Sequence, residues 1–251
     1  MNEFFQKRKT IRHYSDAKIS DAEISELIAD AMNAPTTGGM QLYSVIVTRK
    51  AEMKKKLSPC HFGQPMVTEA PVVLTFCADF NRFEKWCVNS GAKPGFRNFE
   101  SFVSALLDVT IFAQQFCTAA EMEGLGCCYI GTTTYNAKEI AEVLELPKMV
   151  VPIVTLTVGH PFDADAEPKA ERLPIEAIIH DERYKDYSEN DIVKIYSDKE
   201  EIPANKQFVK ENNKQTLAQV FTDVRYPQDA SEHFSKLFFD FIEEQGFKFP
   251  K

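Results

Sequence analysis

Mixed α and β structure is the class this sequence predicts, on three observations. Runs at 42–48, 71–78 and 150–158 have strand length and apolar or β-branched composition. The segment from Ser20 carries a complete helix start, and residues 99–123 read as one long helix that is apolar on nearly every side.

Taken in order, Ser20-Asp21-Ala22-Glu23 is a capping box, because the Ser20 hydroxyl can accept from the Glu23 amide while the Glu23 carboxylate reaches back. Ile24, Leu27, Ile28, Ala31 and Met32 then fall on one helical face, and Pro35 closes the element. Thr36-Thr37-Gly38-Gly39 follows, a loop of small residues that either lets a ligand approach the backbone or simply provides a flexible turn. The first strand comes next, and Lys50 to Leu57 reads as a short charged helix. His61-Phe62-Gly63-Gln64-Pro65 is a loop, and Pro71 to Ala78 is apolar throughout, as expected of a strand buried on both faces. Residues 83–98, with Trp86 and two glycines, read as a mobile loop over the surface, a possible lid.

After the long helix, Gly124 to Thr134 reads as a glycine-rich loop whose amides can face a ring or a phosphate. It is not a dinucleotide fingerprint, since Tyr129 stands where the third glycine belongs. Asn136-Ala137-Lys138-Glu139 reads as a further helix cap, before the third strand. A charged excursion is expected over about 181–230, and Phe234, Leu237, Phe238, Phe241 and Ile242 make a C-terminal amphipathic helix ending near Gly246. The whole chain, 1–251, is read as a single domain carrying this excursion.

Apolar content of 44% and a net charge of −8 fit an ordinary globular protein and argue against a nucleic-acid partner. No run reaches the roughly 18 apolar residues of a membrane span, and Met1-Asn2-Glu3-Phe4-Phe5 has no leader pattern, so a cytoplasmic location and no membrane partner are expected. The six cysteines show neither CxxC pairs nor a zinc spacing, so reduced, buried thiols and no metal site are expected.

Against this acidic background stands Arg8-Lys9-Thr10-Ile11-Arg12, with three cations and a hydroxyl in five residues. Guanidinium and ammonium groups supply charge and the hydroxyl a directed hydrogen bond, a combination suited to phosphate. Ile11 interrupts the charges as a core-facing residue would, and a basic turn is the alternative. Lys169-Ala170-Glu171-Arg172-Leu173-Pro174 forms a second cationic stretch far along the chain.

The basic cluster, Ala34-Pro35-Thr36-Thr37 with Gln41, Phe76 to Arg82, Gly124-Leu125-Gly126 to Tyr129-Ile130-Gly131, and Arg172-Leu173-Pro174 occur together in this order. That ordered set resembles the flavin-dependent nitroreductase family, in its NADPH-preferring, oxygen-insensitive nitroreductase and flavin reductase branch. The resemblance covers residue 4 to about 185. It implies an α+β fold with a central, mostly antiparallel sheet wrapped by helices, an interlocked homodimer, and FMN bound between the subunits. Carried over, Arg8, Lys9, Thr10 and Arg12 would hold FMN from one end, and Lys169 and Arg172 from the other. Thr36, Thr37 and Gln64 would line the flavin from the partner chain, with Tyr129, Ile130 and Gly131 beside its ring. The activity implied is hydride transfer from NADPH or NADH by way of FMN to a nitroaromatic, a quinone or free flavin, in ping-pong order, with no catalytic side chain. Alternatives are another FMN enzyme on the same fold, such as a reductive dehalogenase or a flavin-fragmenting enzyme, or a flavin-binding module without turnover.

The chain departs from the pattern in four places. Thr10 replaces the usual Ser, Gly38-Gly39 replaces bulkier residues, and Lys169 is one residue out of step. The arginines that the branch carries in its excursion are unmatched, with Lys206, Lys210 and Lys214 the nearest cations, which leaves the choice between NADPH and NADH open.

Overall fold

A computed structural model describes residues 2–250. It divides into two compact units, one formed by residues up to Lys169 together with those from Phe234 on, the other by Ala170–His233. In chain order the helices are α1 (Glu3–Lys7), α2 (Asp21–Ala31), α3 (Ala51–Leu57), α4 (Pro65–Glu69), α5 (Asn81–Asn89), α6 (Phe99–Met122), α7 (Ala137–Val143), α8 (Glu189–Glu201), α9 (Pro203–Glu211), α10 (Leu217–Val220) and α11 (Gln228–Gln245). The strands are β1 (Tyr43–Thr48), β2 (Val72–Asp79), β3 (Gly126–Ile130) and β4 (Val150–Gly159).

The class is α+β, and the sheet is antiparallel throughout, in the order β1-β2-β4-β3. Every residue of β2 is buried, as its unbroken apolar run requires. Leu74, Phe76 and Ala78 join the main core, where Phe76 meets Phe112 and Phe116 of α6. The capping box of α2 forms as read, with Ser20 Oγ accepting from the Glu23 amide at 3.1 Å and Glu23 Oε2 accepting from the Ser20 amide at 2.7 Å. All six cysteines are free and buried. Within Ala170–His233, α8 starts with a second capping box, Ser188 with Asp191, a signal that the dense charge of this stretch hides from a periodicity reading.

Three sequence expectations change. Residues 81–89 form α5, where the sequence suggested a surface loop: Cys87 is buried and Phe83 packs on Phe80 and Phe96, so a short apolar face suffices for a helix although Trp86 stays exposed. Asn136 precedes α7 without capping it, because its side chain donates instead to the Cys60 carbonyl at 2.7 Å. The glycine-rich stretch after α6 is strand β3, paired from Gly126↔Gly159 to Ile130↔Thr155.

That last change has a steric cause. The Ile11 amide donates to the Cys127 carbonyl at 3.1 Å, which lays the basic segment along β3. A Cβ on Gly126 would stand 2.5 Å from Ile11 Cβ, so glycine at 126 lets the segment lie against the strand. Tyr14 fixes the far end, its hydroxyl donating to the Ile11 carbonyl at 2.9 Å and lying 2.7 Å from Thr157 Oγ1.

Gly126→Ala is therefore expected to destabilise the protein by about 1–3 kcal/mol, the usual range for an overpacked core. Ile11→Ala in the same chain should recover part of that loss, because the two changes share one contact. Urea unfolding of the two single variants and the double variant checks this, and strictly additive losses would refute the contact.

Candidate functional site

The basic segment is anchored to β3 at Ile11, whose amide donates to the Cys127 carbonyl and whose side chain packs over Gly126. The Arg8 guanidinium pairs through Nε with Glu121 of α6 at 3.1 Å, where Glu121 is largely buried. Burial pushes the Glu121 carboxyl above its ordinary value, and Arg8 offsets part of the rise. Lys9 Nζ has only a 3.9 Å contact with the fully exposed Asp165. Arg12 Nη1 lies 3.6 Å from Glu167 Oε2, a loose pair. The Thr10 hydroxyl has no hydrogen-bond partner among the described residues. Glu167 is itself buried, and burial works against its charge. The Arg12 amide (2.8 Å), the His13 amide (3.2 Å) and His13 Nδ1 (2.9 Å) meet its Oε1 and hold the carboxyl below the ordinary range.

Thr36 and Thr37 are bound into the fold by one acid that the sequence reading passed over. Asp108, 2% exposed in the apolar middle of α6, accepts from the Thr37 amide and hydroxyl at 2.8 Å each, from the Leu42 amide at 3.1 Å, and from the Thr36 hydroxyl. Four donors on one buried carboxylate stabilise its charge and fix the small-residue loop. The signal was present: a lone acid inside Leu106-Leu107-Asp108-Val109 has to be paired in a core.

Gln64 stands with the end of β3. Its Nε2 donates to Thr132 Oγ1 at 3.4 Å, one residue past Gly131, and the buried His61 ring meets the same oxygen through Nδ1 at 3.1 Å. Tyr129 and Ile130 are the last residues of β3, Tyr129 partly exposed with its hydroxyl donating to Gln114 Oε1 at 3.3 Å, Ile130 buried. Gly131 faces open space. His61 and Thr132 were both missed by sequence reasoning, since a single His and one Thr among three carry no spacing signal.

One chain thus assembles part of the predicted set, with Arg8, Lys9, Thr10 and Arg12 along β3, and Gln64 beside the turn that follows Tyr129, Ile130 and Gly131. Thr36 and Thr37 are held instead by Asp108, which stands thirteen residues from Arg8's partner Glu121 on α6, about 20 Å along the helix axis. Lys169 is exposed at the end of the first unit. Arg172 belongs to the second unit, where its Nη1 donates to the carbonyls of Ala170 (3.1 Å) and Glu171 (3.2 Å). In that unit Lys206 is paired with Glu201 and Lys214 with Asp223.

These donors fit a flavin phosphate. A phosphate asks for converging cations and a directed donor, and the segment offers the loosely held Lys9 and Arg12, Arg8 beside Glu121 and Cys117, and a Thr10 hydroxyl without a partner among the described residues.

Residues 5–160 match the nitroreductase family. The chain is 32% identical to the NAD(P)H FMN reductase of Bacillus subtilis strain 168 over the full length of both, and 34% identical to the oxygen-insensitive NADPH nitroreductase of Salmonella typhimurium strain LT2, covering 72% of this chain and 73% of that one. Among solved structures it is similar to a Bacteroides fragilis NCTC 9343 protein, with 51% identity and a TM-score of 0.96 over 98% of this chain and 99% of that one. It is also similar to Bacillus megaterium NfrA2, with 31% identity and a TM-score of 0.85 over the whole of both chains.

Two outcomes are expected from this geometry. Asp108→Ala strands the Thr37 and Leu42 amides and should cost about 3 kcal/mol or more in urea unfolding, whereas Asp108→Asn, which keeps one acceptor, should cost less; a wild-type midpoint for Asp108→Ala would refute the role. The second concerns His61, whose pKa burial lowers to about 4. Above pH 6.5 the ring is neutral both folded and unfolded. Between about 6.5 and 4 the unfolded chain takes up a proton that the folded one refuses, so stability falls as pH falls, by roughly 3 kcal/mol once both forms are charged. Melting temperature against pH should therefore drop less steeply over that window in His61→Leu than in wild type.

Proposed function

The chain belongs to the nitroreductase family, and from that membership we propose that it works as a cytoplasmic, homodimeric FMN oxidoreductase that takes electrons from NADPH or NADH and delivers them to a small acceptor, a nitroaromatic, a quinone or free flavin. The observation that carries the reading is the segment Arg8 to Arg12, whose charges are only partly compensated and whose Thr10 hydroxyl has no partner among the described residues. When bound, FMN supplies two-electron chemistry between the nicotinamide and the acceptor, which use one site in turn.

The chain's own contribution is binding and electrostatics. Arg8, Lys9, Arg12 and Thr10 would hold the phosphate end, with Glu121 keeping Arg8 in place. Gln64, Tyr129 and Ile130 would border the ring, and Gly131, without a side chain, would let it approach the backbone. Lys169, at the end of the first unit, is carried as a further cation of this set. Positive charge near the flavin favours the reduced, more negative form, so the same residues that retain the cofactor also tune it.

Thr36 and Thr37 enter through the second subunit in this reading. The distance of about 20 Å along α6 between Asp108, which holds them, and Arg8's partner Glu121 supports a site completed by another copy rather than by one chain. The exposed apolar residues of α6, Leu107 at 56% and Ile111 at 42%, lie one turn apart on the same face and support burial against that copy. The stretch Ala170–His233 is taken as an excursion of a single catalytic domain.

The purified protein is expected to be yellow, with a flavin absorption band, and to oxidise NADPH or NADH in the presence of a nitroaromatic or a quinone. A protein that stays colourless after soaking with FMN would refute the reading. Arg8→Ala should weaken FMN retention about tenfold in equilibrium dialysis, as expected for one charge-assisted contact, while Lys206→Ala should leave it unchanged.

A further inference from the structure

His61 and Thr132 have a relation that phosphate and ring binding do not require. His61 closes a 3-10 turn, Pro59–His61, and is fully buried, with its Nε2 lacking a hydrogen-bond partner among the described residues. Its Nδ1 lies 3.1 Å from Thr132 Oγ1, the oxygen to which Gln64 Nε2 also donates at 3.4 Å. The backbone holds both partners in place: the Gln64 amide donates to the His61 carbonyl at 3.2 Å, and the Tyr135 amide to the Thr132 carbonyl at 3.1 Å. Thr132 is half-buried and follows the open Gly131.

A neutral imidazole carries one proton, and burial keeps this ring neutral near pH 7. The two tautomers differ in what they leave unpaired. With the proton on Nε2, a buried N–H goes without an acceptor, and the Thr132 hydroxyl gives its own proton to Nδ1. With the proton on Nδ1, the ring donates to Thr132 Oγ1, and only an acceptor lone pair is left over. Orphaned buried donors are rarer in folded proteins than under-used acceptors. The surroundings therefore select the Nδ1–H tautomer.

The consequence falls on Thr132. Its oxygen then accepts from His61 and from Gln64, which fills both lone pairs, and its single proton has no acceptor among the described residues. We propose that Thr132 is a flavin-facing hydrogen-bond donor, and that His61 is the positioning residue that keeps its proton turned toward the ligand. The ligand chemistry is an acceptor atom, a carbonyl oxygen or ring nitrogen. This rests on the FMN reading and deepens it by assigning a donor beyond the cationic segment.

Two measurements test it. Long-range 15N–1H correlation of the imidazoles in the purified protein should show His61 protonated on Nδ1; protonation on Nε2 would overturn the proposal without reference to flavin. Fluorescence titration with FMN should then find Thr132→Val about fivefold to tenfold weaker than wild type, with Thr132→Ser within twofold. His61→Leu should weaken FMN to a similar degree, and His61→Asn, which keeps a donor near the Nδ1 position, should restore it. The double variant Thr132→Val with His61→Leu should be no weaker than Thr132→Val alone, because His61 acts through Thr132. Wild-type affinity in Thr132→Val, or additive losses in the double variant, would overturn the assignment. A wild-type protein that takes up no FMN removes the functional reading itself, and that result precedes any variant.

Discussion

A carboxylate in an apolar interior is stable only where donors surround it, and Asp108 meets that condition by drawing the 36–42 segment onto α6 through four hydrogen bonds. Thirteen residues further along the same helix Glu121 does the reverse, standing largely buried to receive Arg8. One rigid helix therefore fixes two functional segments at set positions along its length. The aromatic packing of Phe112 and Phe116 on Phe76 locks that helix to the centre of the sheet. Displacing α6 would move both segments together.

The fold was legible wherever one local rule acted alone. The β2 run, the Ser20 capping box and the length of α6 each follow from composition or spacing, and each stands within a residue or two of its expected place. The misses share a cause, which is that a tertiary contact outvoted a local signal. Glycines at 124 and 126 read as a loop until Ile11 is seen filling the space above Gly126. Asn136 reads as a cap until the Cys60 carbonyl claims its side chain. The α5 segment reads as a loop because Gly91 and Gly95 dominate its far end, while Phe83 and Cys87 supply the face that packs.

Site legibility divides in the same way. Cations crowded into an acidic chain can be seen in the sequence, and so can a family's ordered motifs. The residues that hold those motifs in position cannot, because Asp108, Glu121 and His61 act across 66 to 113 positions of sequence and have no periodicity. Of the three, only Asp108 announces itself, as an acid where the helix pattern demands an apolar residue. The arrangement of Gln64 is equally instructive. Among the described residues its side chain bonds Thr132, so the end of β3 and the turn before α4 form one small polar patch in the first unit.

The cysteines acquire a meaning beyond packing. All six are buried, and burial raises the thiol pKa of Cys60, Cys77 and Cys128; Cys127 is raised as well, chiefly by its contact with Cys117. The thiolate is the reactive form, and here it is disfavoured at the very strand against which the cationic segment lies. An accessible thiolate would be open to alkylation by any soft electrophile. With the Cys127 and Cys128 thiols held protonated and covered, the strand that carries the cationic segment presents no reactive sulfur of its own.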